Sequence, residues 1–80
     1  MPRLKRLSVS EVLKILAKFD FTIYSQKGSH IKLRRVTSRG KETLTIPNHK
    51  QLDTGTCYSI FKQASKYISE AELYPYFYDS

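Results

Sequence analysis

The sequence contains a single cysteine, and it has no spacing of cysteine and histidine typical of a zinc site. One cysteine excludes an intramolecular disulfide framework, and the carboxylates are too scattered for a paired acid–base site or a divalent-metal cluster. No apolar run approaches the ~20 residues of a transmembrane helix, and no signal peptide is recognisable. We therefore expect a cytoplasmic protein that binds no membrane, needs no metal and uses no cofactor.

Repeats, low-complexity tracts and linkers are also missing from the 80 residues. A single domain over 1–80 is predicted, with a core of about 8–68 and an aromatic C-terminal extension over 69–80. So short a chain builds one hydrophobic core but leaves little room for a deep substrate cavity. Any active site should then lie on an open surface.

Positive charge is in excess, because 14 Lys and Arg stand against seven Asp and Glu, for a formal net charge of +7. Such a field attracts polyanions: nucleic acid, an anionic membrane surface or an acidic partner protein. A merely basic surface is the alternative. The placement of the charges has to decide between them.

The first helix is predicted from its cap. Ser8 and Glu11 have the spacing of a capping box, and the apolar residues that follow recur at helical intervals over about 9–18.

A second helix is predicted after a polar loop. Asp53 or Thr54 can cap it, and it runs to about Lys66. Ser69 and Glu72 form another possible capping box, before a short aromatic tail.

Three short strands lie between the helices, and their turns predict the register. A three-residue loop over 26–28 sets Tyr24 opposite His30, and the turn over 37–40 sets Leu33 opposite Leu44. The same alignment sets Ile23 opposite Ile31 and Phe21 opposite Leu33. Both hairpins then place these apolar residues on one face: Phe21, Ile23, Ile31, Leu33, Leu44 and Ile46. They place these residues on the other face: Thr22, Tyr24, His30, Lys32, Arg34, Thr43 and Thr45.

The element order is α-β-β-β-α, followed by a terminal turn or short helix. This order predicts an α+β fold, in which two helices cover the apolar face of a three-stranded antiparallel sheet. The polar face stays open to solvent.

The polar face is the predicted binding surface. His30, Lys32 and Arg34 occupy alternate positions of the middle strand, beside Tyr24 and several threonines. Cations hold phosphates, and an exposed aromatic ring can stack on an unpaired base. A charged sheet face that only keeps the protein soluble is the alternative. Further cations cluster in the adjoining loops and strand ends: Lys27, Arg35, Arg39, Lys41 and Lys50.

His30 is the predicted catalytic residue. It follows Gly28 and Ser29, whose tight turn lets a phosphate approach the backbone closely. An imidazole can accept a proton from a ribose 2′-hydroxyl or donate one to a leaving oxygen. An incidental exposed histidine is the alternative. His49, just past the end of the sheet nearest His30, is a second candidate, unless it is a loop residue with a local hydrogen bond.

Two further positions have simpler interpretations. Cys57 lies on the apolar stripe of the second helix, so we expect a buried structural thiol rather than a nucleophile. Gly55 and Thr56, near the start of that helix, can bind an anion or serve only to begin the helix.

Taken together, these residues resemble the HicA (YcfA-like) family of mRNA interferase toxins from HicBA toxin–antitoxin systems. The resemblance rests on Lys27-Gly28-Ser29-His30 opening the second strand and on Thr45-Ile46-Pro47-Asn48-His49 closing the third. It continues with Leu52, with Gly55-Thr56 and with Ile60, and covers about residues 8 to 68. Asp20 replaces a glycine that usually follows the first helix, another common glycine is replaced around Ser65-Lys66, and the tail is unusually aromatic.

The resemblance implies a fold like that of double-stranded-RNA-binding domains, an endoribonuclease that cleaves mRNA without the ribosome, and a HicB antitoxin that covers the active surface. The family's catalytic histidine falls on His30, with Gly28 and Ser29 completing the motif. Its Pro-x-His element falls on Pro47 and His49. We expect the free protein to be a monomer. The RNA contacts expected from this reading and from the basic surface are Lys27, Gly28, Ser29, Lys32, Arg34, Arg35, Arg39, Lys41 and Lys50.

Two other functions fit the same surface. One is a non-catalytic RNA-binding module, in which His30 only donates a hydrogen bond or stacks. The other is a partner-docking domain, in which Lys32 and Arg34 face an acidic protein.

Overall fold

The structure is a computed structural model, and it describes residues 3–79. The elements in chain order are β1 (Arg3–Leu4), α1 (Val9–Ala17), β2 (Thr22–Lys27), β3 (His30–Thr37), β4 (Gly40–Pro47), α2 (Thr54–Ala64), α3 (Glu70–Phe77) and β5 (Tyr78–Asp79). The central sheet has the strand order β2-β3-β4 and is antiparallel, and a second sheet pairs β1 with β5. The predicted α+β class and the α-β-β-β-α order are confirmed, whereas the small β1–β5 sheet was not predicted.

Helix α1 begins as its cap predicts. The backbone N–H of Glu11 donates to Ser8 Oγ at 3.2 Å, and the N–H of Ser8 donates to Glu11 Oε1 at 2.9 Å. This reciprocal pair satisfies two backbone donors that a helix start leaves free.

Helix α1 ends at a left-handed residue. Asp20 has φ +71°. The N–H of Phe21 donates to the carbonyl of Leu16 at 3.1 Å, and that of Asp20 to Ala17 at 3.1 Å. These two bonds form a Schellman cap, which the short polar side chain of aspartate tolerates.

The β3–β4 hairpin has the predicted register. Leu33 lies opposite Leu44, and His30 lies opposite Pro47. Because directly opposed residues share a face, this hairpin alone separates the apolar from the polar side of the sheet.

The predicted register of the β2–β3 hairpin is wrong. His30 pairs with Lys27 rather than with Tyr24, Ile31 pairs with Gln26, and Leu33 pairs with Ile23. The loop has two residues, Gly28 and Ser29, with Gly28 at φ +58°. A glycine with positive φ at the first central position is the arrangement of a tight type II′ hairpin, whose twist suits the strands better than the three-residue loop that was predicted.

A β-bulge then corrects the alignment along β2. Between Ile23 and Ser25 the register shifts by one residue, so that Tyr24 and Ser25 together oppose Lys32. The bulge returns Ile23 to the side of Leu33. Ile23 therefore shares a face with Leu33 as predicted, although it is 55% exposed on this edge strand.

Helix α2 and the sheet enclose one core. Asp53 caps α2, accepting from the N–H of Thr56 at 2.7 Å, and the stripe of Cys57, Ile60 and Phe61 is buried. Cys57 is fully buried, and its Sγ accepts from the N–H of Leu7 at 3.4 Å, as expected of a structural thiol. The buried apolar residues are Leu7, Val12, Ile15, Leu16, Phe21, Ile31, Leu33, Leu44, Ile46, Leu52, Cys57, Ile60, Phe61, Ala64, Ile68, Leu73 and Phe77.

The aromatic extension packs onto this core from the side of α2. Ser69 caps α3, and Leu73 and Phe77 are fully buried. The ring of Tyr78 stacks on that of Tyr74, with centroids 4.4 Å apart and planes 9° from parallel. None of the helices within residues 3–79 combines the length and the apolarity needed to span a membrane.

Candidate functional site

His30 begins β3 and is exposed, on the face of the sheet that the helices leave open. Lys27 on β2 and Pro47 on β4 lie directly opposite it. Opposed side chains of an antiparallel pair stand about 5 Å apart at Cβ, so Lys27 and His30 are cross-strand neighbours and the Lys27 ammonium group can reach the imidazole. The correct register thus brings a cation to His30 where Tyr24 was expected.

The turn before His30 is tied to the segment that carries His49. The backbone N–H of Asn48 donates to the carbonyl of Ser29 at 2.7 Å. A side chain at Gly28 would meet no atom within 4 Å, so the space beside this turn is open. The open turn leaves room for a phosphate to approach the backbone next to His30.

His49 is exposed and lines a shallow cleft between the end of β4 and the start of α2. Asp53 lines the same cleft, and its pKa lies below the ordinary value for aspartate. The main cause is the hydrogen bond from the Thr56 N–H, with a smaller contribution from the positive charge of Arg6. His49 therefore lies at the rim of the site, near a carboxylate, and its part in any chemistry stays a prediction.

Lys32 and Arg34 follow His30 on the open face. Lys32 is exposed, opposite Ser25 and Thr45. Arg34 is partly buried, and the Cζ atom of its guanidinium group lies 3.4 Å from the centroid of the Tyr24 ring. The open face therefore carries an imidazole, an ammonium group and a guanidinium group in one line along β3.

Arg35 points to the other side of the sheet, where its contacts are internal. Its guanidinium group pairs with Glu42, with Nη2 and Oε1 2.7 Å apart, and donates to the carbonyl oxygens of Phe19 at 3.1 Å and Tyr67 at 3.0 Å. It also lies over the Phe21 ring, with Cζ 4.7 Å from the centroid. With its donors used in this way, Arg35 joins α1, the sheet and the segment after α2.

The remaining predicted cations divide between the two ends of the sheet. Lys50 follows β4 at the end nearest His30, whereas Arg39 and Lys41 lie at the tip of the β3–β4 hairpin. Seven residues of strand separate that tip from His30, which corresponds to about 23 Å. Arg39 and Lys41 can therefore contact only a distant part of a polymer whose backbone reaches His30.

The N-terminus of α2 is capped by a side chain of the protein. The Asp53 carboxylate accepts from the N–H of Thr56, so a negative charge already stands where an anion would bind. The anion-binding alternative for Gly55 and Thr56 is therefore not favoured. Within residues 3–79, no group of three His, Cys, Asp or Glu side chains is arranged to hold a metal ion.

Tyr24 belongs to the site more closely than the sequence indicated. The predicted register put Tyr24 on the polar face opposite His30 rather than against Arg34, because a bulge within β2 leaves no local signal. A tyrosine and an arginine on neighbouring strands, both pointing away from the core, were the only available hint.

Comparison with known families places most of the chain in one of them. The family model described as HicA toxin of bacterial toxin-antitoxin matches residues 9–65, which include His30 and His49. No curated protein and no solved structure matches the chain.

Proposed function

The chain belongs to the HicA toxin family of bacterial toxin–antitoxin systems, and from this premise we propose that it is a metal-independent endoribonuclease that cuts mRNA in the cytoplasm. The observation that carries the proposal is the exposed imidazole of His30 on an open face, next to Lys27 and two residues before Lys32.

In the proposed reaction, His30 takes the proton from a ribose 2′-hydroxyl, and the 2′-oxygen bonds to the adjacent phosphorus. The bond from phosphorus to the 5′-oxygen breaks, and this oxygen receives the proton that His30 took up. The products are a 2′,3′-cyclic phosphate and a 5′-hydroxyl. Lys27 and Lys32 supply the positive charge that stabilises the phosphate while negative charge builds up on it.

RNA binding uses the same face. The open turn at Gly28 and Ser29 receives a phosphate, Lys32 and Arg34 follow along β3, and Lys50 extends the basic surface at the His30 end. Arg39 and Lys41 contact RNA farther along. We leave Arg35 out of this set, because its guanidinium group already binds Glu42 and two backbone carbonyls.

The partner that silences this activity is an antitoxin, and we propose a HicB-type protein bound to a toxin that is monomeric when free. Its docking on the open face would block RNA and neutralise the same cations. An acidic contact surface on the partner suits this role, because the 80-residue chain has a formal net charge of +7.

The test is cleavage of RNA by purified protein in the presence of EDTA. Wild-type protein should produce fragments that end in a 2′,3′-cyclic phosphate, and His30→Ala should lower the rate by about 100-fold or more, the usual contribution of one proton-transfer group. RNA with a 2′-deoxy sugar at the cut position should resist cleavage. Circular dichroism should show that the variant remains folded.

His49→Ala, which removes the other histidine from the same end of the sheet, tests whether this second candidate also takes part in the reaction. Cutting at wild-type rates by His30→Ala would contradict the assignment and would point to another residue or to a contaminating nuclease. Tight, salt-sensitive binding of RNA that stays intact on long incubation would instead favour the non-catalytic binding module.

A further inference from the structure

The bulge in β2 brings together a stacked pair of side chains that the proposed cleavage reaction does not require. It places Tyr24 on the open face, where its ring lies against the guanidinium group of Arg34 at 3.4 Å. The two side chains come from neighbouring strands and form one stacked pair beside Lys32.

Tyr24 and Arg34 differ in how far they are exposed to solvent. The Nε atom of Arg34 is buried and has no hydrogen-bond partner among residues 3–79, whereas the Tyr24 side chain is 51% exposed. The Nε end of the guanidinium group is therefore covered, whereas the Tyr24 ring projects toward solvent. With one ring face covered by Arg34, the exposed half of Tyr24 is the other face and its edge.

Arg34 holds the ring without the help of a carboxylate. The ion pairs within residues 3–79 involve Arg35, Lys5 and Lys62, and none involves Arg34. The positive charge of Arg34 thus remains available to a phosphate, while its planar group fixes the orientation of Tyr24. A flat ring held in one position loses little conformational freedom when a second ring stacks on it.

We propose that Tyr24, supported by Arg34, is a stacking platform for an unpaired base, and that the substrate of this protein is single-stranded RNA. The proposal rests on the proposed ribonuclease function. In an A-form duplex the base faces are covered by their neighbours, so a projecting ring has no face on which to stack. In a single strand every base offers such a face, and aromatic platforms use it.

The platform lies near the site of cleavage but not at it. Arg34 and His30 are four residues apart on β3, or about 13 Å. Lys32 lies between them and can hold the phosphate backbone that joins the two points. The stacked base is then not the one next to the cut bond, and Tyr24 acts as a positioning residue that fixes where the RNA lies relative to His30.

The test compares Tyr24→Ala with Tyr58→Ala in full-length protein that also carries His30→Ala, so that RNA stays intact. Tyr58 is a matched control, because it is 48% exposed but lies on α2, away from the open face. Affinity is measured by fluorescence anisotropy with a short single-stranded RNA, an abasic strand of the same length and a blunt RNA duplex.

Tyr24→Ala should weaken binding of the single strand by about 5- to 150-fold, which is the range for loss of one stacking aromatic. Tyr24→Phe should bind like the parent, because it keeps the ring. Tyr58→Ala should have no effect, and no variant should change the affinity for the abasic strand. A 2-aminopurine base in the single strand should be quenched by the parent and not by Tyr24→Ala.

Equal weakening for single strand, abasic strand and duplex would overturn the proposal, and so would unchanged binding by Tyr24→Ala. Cleavage of RNA by protein with His30 intact, together with unchanged RNA binding by Tyr24→Ala, would overturn only the platform. Failure of protein with His30 intact to bind or cut any RNA would overturn the proposed function as well.

Discussion

Arg34 and Arg35 are adjacent in the chain, but their side chains lie on opposite sides of the sheet. Replacing each with alanine should therefore affect RNA binding in one case and the stability of the fold in the other. Arg35 pairs with Glu42 and donates to two backbone carbonyls on the helix side of the sheet. Arg34 stacks on Tyr24 on the open side. We expect Arg35→Ala to destabilise the fold, and Arg34→Ala to weaken RNA binding while leaving the fold nearly as stable.

The magnitude for Arg35 follows from its surroundings. The side chains of Arg35 and Glu42 are 18% and 14% exposed, so the pair is largely buried. Removing one partner of a buried pair costs about 3–5 kcal/mol, and residual contact with water favours the lower end, about 3 kcal/mol. For a domain of this size each kcal/mol lowers Tm by about 4–8 °C, so Arg35→Ala should melt about 12–24 °C lower.

Arg34→Ala should lose much less stability. Because the Tyr24 ring is exposed, its cation–π contact with Arg34 contributes about 0.5–1 kcal/mol, which corresponds to about 2–8 °C. The measurement is thermal melting followed by circular dichroism. At a temperature where both variants are folded, anisotropy with single-stranded RNA should show wild-type affinity for Arg35→Ala and reduced affinity for Arg34→Ala.

A double-mutant cycle isolates the ion pair. Arg35→Ala and Glu42→Ala should be less destabilising together than the sum of the two single changes, by about 0.5–3 kcal/mol. The reasoning fails if Arg35→Ala melts within the range expected for Arg34→Ala. It also fails if Arg35→Ala, while folded, loses RNA affinity as strongly as Arg34→Ala does.

Two further outcomes follow from the charged groups. Lys32→Ala should reduce the magnitude of the slope of log affinity against log salt for single-stranded RNA by about 0.7. Lys62→Ala removes an ammonium group paired with Glu70 and should leave this slope unchanged. Equal slopes for both variants would contradict the prediction. The Thr56 N–H lowers the pKa of Asp53, so this carboxylate stabilises the fold fully above its unfolded pKa of about 3.9 and ceases to do so as the pH falls through the lower folded pKa. Between about pH 5 and about pH 2, Tm should therefore fall more steeply for wild type than for Asp53→Asn, and parallel curves would refute the assignment.

The parts of the fold that could be predicted are those with local signals. The capping box at Ser8 predicted the start of α1, and the β3–β4 turn set the register of that hairpin correctly. For the β2–β3 hairpin, Gly28 suits either the last position of a three-residue loop or the first central position of a two-residue turn. The bulge at Tyr24 then keeps the polar face almost unchanged, so the hydrophobic pattern could not tell the two registers apart.

The parts that could not be predicted depend on contacts between distant residues. Arg3 pairs with Asp79 across nearly the whole chain, and two-residue strands have no periodicity to detect. Likewise, β3 alternation separates Arg34 from Arg35, but nothing in the sequence shows that the carbonyls of Phe19 and Tyr67 meet beside Glu42. A cluster of cations in a sequence therefore predicts a binding surface but does not show which of the cations make contacts within the protein instead.

The aromatic extension contributes to the core and leaves the open face of the sheet exposed. Phe77 packs on Phe61 of α2, with ring centroids 5.5 Å apart, and both rings are buried in the core on the helix side of the sheet. No element within residues 3–79 crosses the opposite face, where His30 and Lys32 remain exposed. The extension enlarges the small core that an 80-residue chain can build and leaves the open face free. The open face needs such support, because it buries little apolar surface and contributes little to stability.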